Sequence, residues 1–162
     1  ITVTLELYKP DGSPLLTQSI SPNLGMLRVG EVSPAVILFS SGESAGWETY
    51  DVRVEASALM PGPDNNRYHD FTPLQAQGTA LPGNVFSITG QVENTGSSNA
   101  ESVRVIAILF GTQNELVGMA TGFTDKQSIP AGNSSSFTIL SVGGSATVAR
   151  YVLLFEGTKA VQ

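Results

Sequence analysis

The chain has 162 residues, 41% of them hydrophobic and 14% charged, with a mean hydropathy of +0.09 and a net charge of −6. This composition supports folded cores over disorder, and its acidic balance argues against nucleic acid or an anionic membrane surface as a partner. The absence of cysteine removes disulfides and thiolate metal sites, and no apolar run approaches the ~20 residues of a membrane-spanning helix.

In chain order, "ITVTLELY" alternates apolar and polar residues as a half-buried strand does, and Pro10-Asp11-Gly12 closes it with a turn. "SPAVILFS" is a short apolar, β-branched run bounded by Ser and Pro, which predicts a strand rather than a buried helix. Trp47, the sole tryptophan, stands just ahead of the strand "YDVRVEA" and is expected to be buried or partly buried there. "MPGPDNNRYHDFTP" holds three prolines and reads as a linker. Beyond it, a strand is predicted around 73–77, a turn over 81–84 and a strand over 85–93, where Ile88, Gly90 and Val92 alternate with Thr89, Gln91 and Glu93. "VRVIAILF" and "YVLLFEG" are further strands, and "SVGGSATVAR" is a connecting loop.

An internal repeat emerges when the chain is shifted by 102 positions. Leu7 and Tyr8 fall on Leu109 and Phe110, and Ile1, Val3 and Leu5 fall on Val103, Val105 and Ala107. Gly30, Ile37 and Leu38 fall on Gly132, Ile139 and Leu140. After one deleted residue, Tyr50, Val52 and Val54 fall on Tyr151, Leu153 and Phe155. The second copy carries a front half, including the strand over 85–93, that the first copy lacks, so the chain is expected to begin at the third strand of its first domain. The predicted architecture is all-β: two antiparallel β-sandwich domains, a partial one over 1–60 and a fuller one over 68–162, joined by a linker over 61–67.

Gly90, Asn94, Thr95 and Gly96 in "GQVENTGSSNAESVRVIAILF", with Pro130, Gly132 and Phe137 in "IPAGNSSSFTI", resemble the FxLYD-type immunoglobulin-like repeats of prokaryotic surface proteins. The name motif itself is degenerate, as Leu5, Leu7-Tyr8 and Lys9 in one copy and Ala107, Leu109-Phe110 and Gly111 in the other. The resemblance implies tandem Ig-like sandwiches serving as a spacer, stalk or interaction module outside the cytoplasm or at the cell surface, with no catalytic residues.

The side-chain inventory points the same way. His69 is the sole histidine and sits in the linker, and no G-x-S-x-G elbow accompanies the serines. No cofactor is expected. Ca²⁺ is the one metal considered, with Asp64, Asn65, Asn66 and Asp70 as oxygen ligands, set against their ordinary use as turn formers. Trp47, Tyr68 and Phe71 are the aromatics that a carbohydrate-binding accessory domain would use. Without front strands in the first copy, the stripe Ile1, Val3, Leu5 and Leu7 loses its neighbours: either a preceding segment outside these residues supplies the cover, or an open sheet edge invites a protein partner or self-association. The sequence thus predicts a non-enzymatic structural or adhesive module. Its alternative is a subunit of a filament or pilus built by β-strand complementation between chains.

Overall fold

A computed structural model describes residues 1–40, 42–58, 66–142 and 147–160. The described residues form eleven strands and no helix, all strand pairs are antiparallel, and the chain divides into two compact units, Ile1–Asn65 and Asn66–Gln162.

In the first unit, β1 (Thr2–Tyr8) is the central strand, flanked by β2 (Pro14–Ile20) and β3 (Thr49–Glu55). Residues opposite one another across a ladder share a face. Val3, Leu5 and Leu7 therefore lie on one face with their β3 partners Val54, Val52 and Tyr50 and with Ile20, Gln18 and Leu16 of β2. The opposite face is mostly polar, carrying Thr4, Glu6, Asp51 and Arg53.

In the second unit, β4 (Arg67–Tyr68), β7 (Ala100–Phe110), β8 (Leu116–Phe123), β9 (Ser128–Ile129) and β11 (Arg150–Lys159) build one sheet in the order β4-β11-β7-β8, with β9 paired to β7. β5 (Phe71–Leu81), β6 (Val85–Asn94) and β10 (Ser134–Val142) build a second, in the order β10-β6-β5. Both contribute to one core: Ile88, Val92, Phe137 and Ile139 from the three-stranded sheet meet Val103, Val105, Ala107, Leu109 and Phe155 from the other. Within the three-stranded sheet Gly90 leaves room for the cross-strand Phe137 ring, since a Cβ there would stand 2.9 Å from the Ala76 Cα and 3.0 Å from that ring.

The ladders of the two units coincide. Leu7 pairs with Leu16 and Tyr50 as Leu109 pairs with Gly118 and Tyr151, and the register slips between Leu7 and Tyr8 as it does between Leu109 and Phe110. The turns match as well. The Lys9 and Gly111 N–H groups donate to the Ser13 and Glu115 carbonyls, and positive φ falls on Gly12 and Asn114. Glu31 donates to the Arg28 carbonyl as Asn133 does to that of Pro130, across Gly30 and Gly132, both at positive φ.

Three expectations change. "SPAVILFS" forms no strand, although the turn before it forms. The aligned segment, β10, pairs along its whole length with β6, and among the described residues of the first unit nothing stands in that place, so its backbone has no ladder to join. Trp47 is exposed, packing edge-to-face on Tyr50 with ring centroids 6.1 Å apart. Arg67, expected in the linker, lies in β4, which pairs with Gly157 and Thr158 of β11, and its neighbour Tyr68 is buried. Of the rest of that linker, Asn66 is described and residues 61–65 lie outside the described residues.

Candidate interaction surface

The second unit holds two polar clusters, the first tying β6 to the other sheet and the second lying within the five-stranded sheet. Asn94, wholly buried, accepts from the Tyr68 hydroxyl at 2.9 Å and the Gly96 N–H at 3.2 Å through Oδ1, and donates from Nδ2 to the carbonyls of Ser98 and Ile129 at 2.8 and 2.9 Å. Its hydrogen-bonding capacity is thereby used in full. Gly96 is required beside it, because a Cβ there would stand 1.8 Å from the Tyr68 Oη. The second cluster centres on buried Glu156. Its Oε1 accepts from Arg67 at 2.6 Å and Arg104 at 3.3 Å, and its Oε2 meets the His69 Nε2 at 3.2 Å. The chain's sole histidine therefore clamps β4 and the residue after it onto β11.

Of the calcium candidates, Asp64 and Asn65 lie outside the described residues. Asn66 and Asp70 use their carbonyls to accept from Lys159 and Thr95, and no group of three or more His, Asp or Glu side chains converges among the described residues. The three aromatics considered for sugar binding do not form a row: Tyr68 is buried, Phe71 packs edge-on against it in the second unit's core, and Trp47 belongs to the first unit. At one end of the second unit's core, a depression of about 220 Å³ is lined by Leu81, Phe86, Leu109 and Val148 among others and by no titratable side chain. It is smaller than the roughly 300–1,000 Å³ usual for small-molecule sites.

Of the stripe, Val3, Leu5 and Leu7 are brought onto one face of β1, a strand whose two edges are both paired, and Ile1 precedes it. Leu7 is buried and the other three are half-buried. Apolar exposure falls instead on their partners in β3, where Tyr50, Val52 and Val54 are 60%, 55% and 63% exposed. The aligned residues of the second unit, Tyr151, Leu153 and Phe155, belong to its core or pack against it. Their cover is the three-stranded sheet: Phe86 lies 6.4 Å from the Tyr151 ring, the Ala76 carbonyl accepts from the Tyr151 hydroxyl at 3.0 Å, and Gly78 is so close that a Cβ would stand 2.8 Å from that ring. On the same face of the first unit, Gln18 holds a buried Oε1 with no hydrogen-bond partner. The alternation in "YDVRVEA" signals an apolar face; whether anything covers it is decided elsewhere in the fold.

No protein-family model matches this chain, and no curated protein matches it.

Proposed function

We propose that this chain is a non-enzymatic structural or adhesive module of a prokaryotic surface protein, made of two copies of an Ig-like β-sandwich unit of the FxLYD type. The observation that carries this reading is the coincidence of the β1-β2-β3 and β7-β8-β11 ladders, down to the register slip and the turn hydrogen bonds. Two sheets closing on one core in the second unit support the sandwich. The motif residues Asn94 and Gly96 carry a purely structural load, which suits a spacer. Antibodies raised against the chain test the location: they should label intact source cells, and labelling only after permeabilisation would overturn an extracellular role.

A second reading, a filament or pilus subunit assembled by strand complementation, is favoured by the exposed apolar face of β3. Electron microscopy of the purified protein separates the two, since a filament subunit gives fibres and a spacer gives single particles.

A further inference from the structure

We infer that Asp11-Gly12, in the turn between β1 and β2, is a site of spontaneous covalent modification: its peptide link isomerises to the isoaspartyl form, and the folded turn holds that reaction back until the first unit opens.

The dipeptide is singled out by its chemistry. It is the chain's one Asp-Gly, and no Asn-Gly occurs. In the reaction the Gly12 nitrogen attacks the Asp11 Cγ, the new C–N bond closes a five-membered succinimide, and the amide proton leaves with the carboxyl hydroxyl as water. Water then opens the ring at either carbonyl, which returns aspartate or yields isoaspartate, whose main chain runs through Cβ. Glycine favours this step because no side chain shields the attacking nitrogen. Both residues are exposed, and nothing lies within 4 Å of the place a Gly12 Cβ would take.

The fold restrains both reacting groups. The Gly12 N–H donates to the Lys9 carbonyl at 2.9 Å, which holds the nucleophile inside the turn. The Asp11 Oδ1 accepts from the Ser13 hydroxyl at 2.6 Å and the Ser13 N–H at 2.9 Å, which ties the carboxylate to residue 13. Those bonds favour the ionised carboxylate, whereas ring closure expels water from the neutral acid. The Lys9 N–H closes the loop on the Ser13 carbonyl, so opening of the β1–β2 hairpin releases every restraint together. The product does not fit the same turn, because isoaspartate adds a main-chain carbon within that loop, beside the Tyr8–Pro14 pair. In the aligned turn of the second unit Gln113 stands where Asp11 does, and its longer side chain closes only a six-membered ring. The modification therefore belongs to the unit with the less enclosed sheet, and its accumulation records how often that unit opens.

The test follows residue 11 at neutral pH in the whole chain and, in parallel, in a synthetic peptide of residues 7–16. Mass spectrometry with fragmentation at N–Cα bonds tells aspartate from isoaspartate. The peptide should isomerise, and the folded chain should do so at least about tenfold more slowly, the rate equivalent of one charge-assisted hydrogen bond lost on the way to ring closure. Ser13→Ala should recover about tenfold, while Ser13→Thr, which keeps the hydroxyl, should stay slow. Amide protection of the β1–β3 ladder shows whether each protein is folded. In urea that unfolds the chain, residue 11 should react as fast as in the peptide, whatever the residue at 13. A peptide that stays unmodified overturns the site. A folded chain that keeps pace with the peptide overturns the restraint, and so does a folded Ser13→Ala protein as slow as wild type. Continued slowness in urea overturns opening as the gate. None of these outcomes depends on where the protein resides.

Discussion

Asn94 shows how much one buried amide can hold. Replacing it by Ala strips partners from the buried Tyr68 hydroxyl and Ile129 carbonyl together, and each orphaned group costs about 1–3 kcal/mol. Asn94→Ala should therefore destabilise the second unit by about 3 kcal/mol, read from urea midpoints. Glu156→Ala should cost less, about 2 kcal/mol, below the roughly 3–5 of a wholly buried broken pair, because the Arg67 and Arg104 side chains are 46% and 32% exposed and stay hydrated. Asp11 carries a pH dependence. The Ser13 hydroxyl, and then the Ser13 N–H, hold its carboxyl below the ordinary carboxylate range. The folded state thus binds that proton more weakly, and the stability gained is complete above the unfolded pKa of about 3.9 and lost as pH falls through the folded value. The melting difference between wild type and Asp11→Asn should persist near neutrality and close below about pH 4. From sequence, Asn94 and Gly96 are visible as a motif and Asp11-Gly12 as a turn. That Tyr68 and His69 leave the Pro-rich stretch to bond Asn94 and Glu156 is not visible, because partners 26 and 87 residues apart meet only through the fold.

At the scale of the element, a strand exists only where it has a neighbour. β10 and the segment 32–40 follow the same Gly turn and share an Ile-Leu pair, yet one is a strand and the other is not. Ile139 is buried between sheets, whereas its counterpart Ile37 is half-buried. Phe137→Ala, at the β10 core position, should cost about 3–5 kcal/mol. Ile37→Ala should cost under about 1 kcal/mol, well short of the 2–5 typical of a core aliphatic; equal losses would mean that 32–40 folds as β10 does. The β1, β3, β6, β7 and β11 strands were legible from alternation and β-branching. The two-residue strands β4 and β9 were not, being too short to carry a period.

For the whole molecule, the difference between the units is one of coverage. The second encloses its apolar residues between two sheets, and the first presents one sheet with a partly uncovered face. Hydrogen exchange should therefore grade the chain: β6, β7 and β10 amides should open last, and the β1–β3 ladder should exchange through openings of lower free energy. Equal protection in both units would contradict that account. The sequence by itself determined an all-β chain and several of its turns, since period-two alternation and positive-φ residues act over a few neighbours. Only the tertiary structure decided that β1 is a central strand, that Trp47 and the β3 face lie open, and that 32–40 forms no strand. Those outcomes depend on which distant segments lie opposite one another, and burial belongs to the pair rather than to either strand.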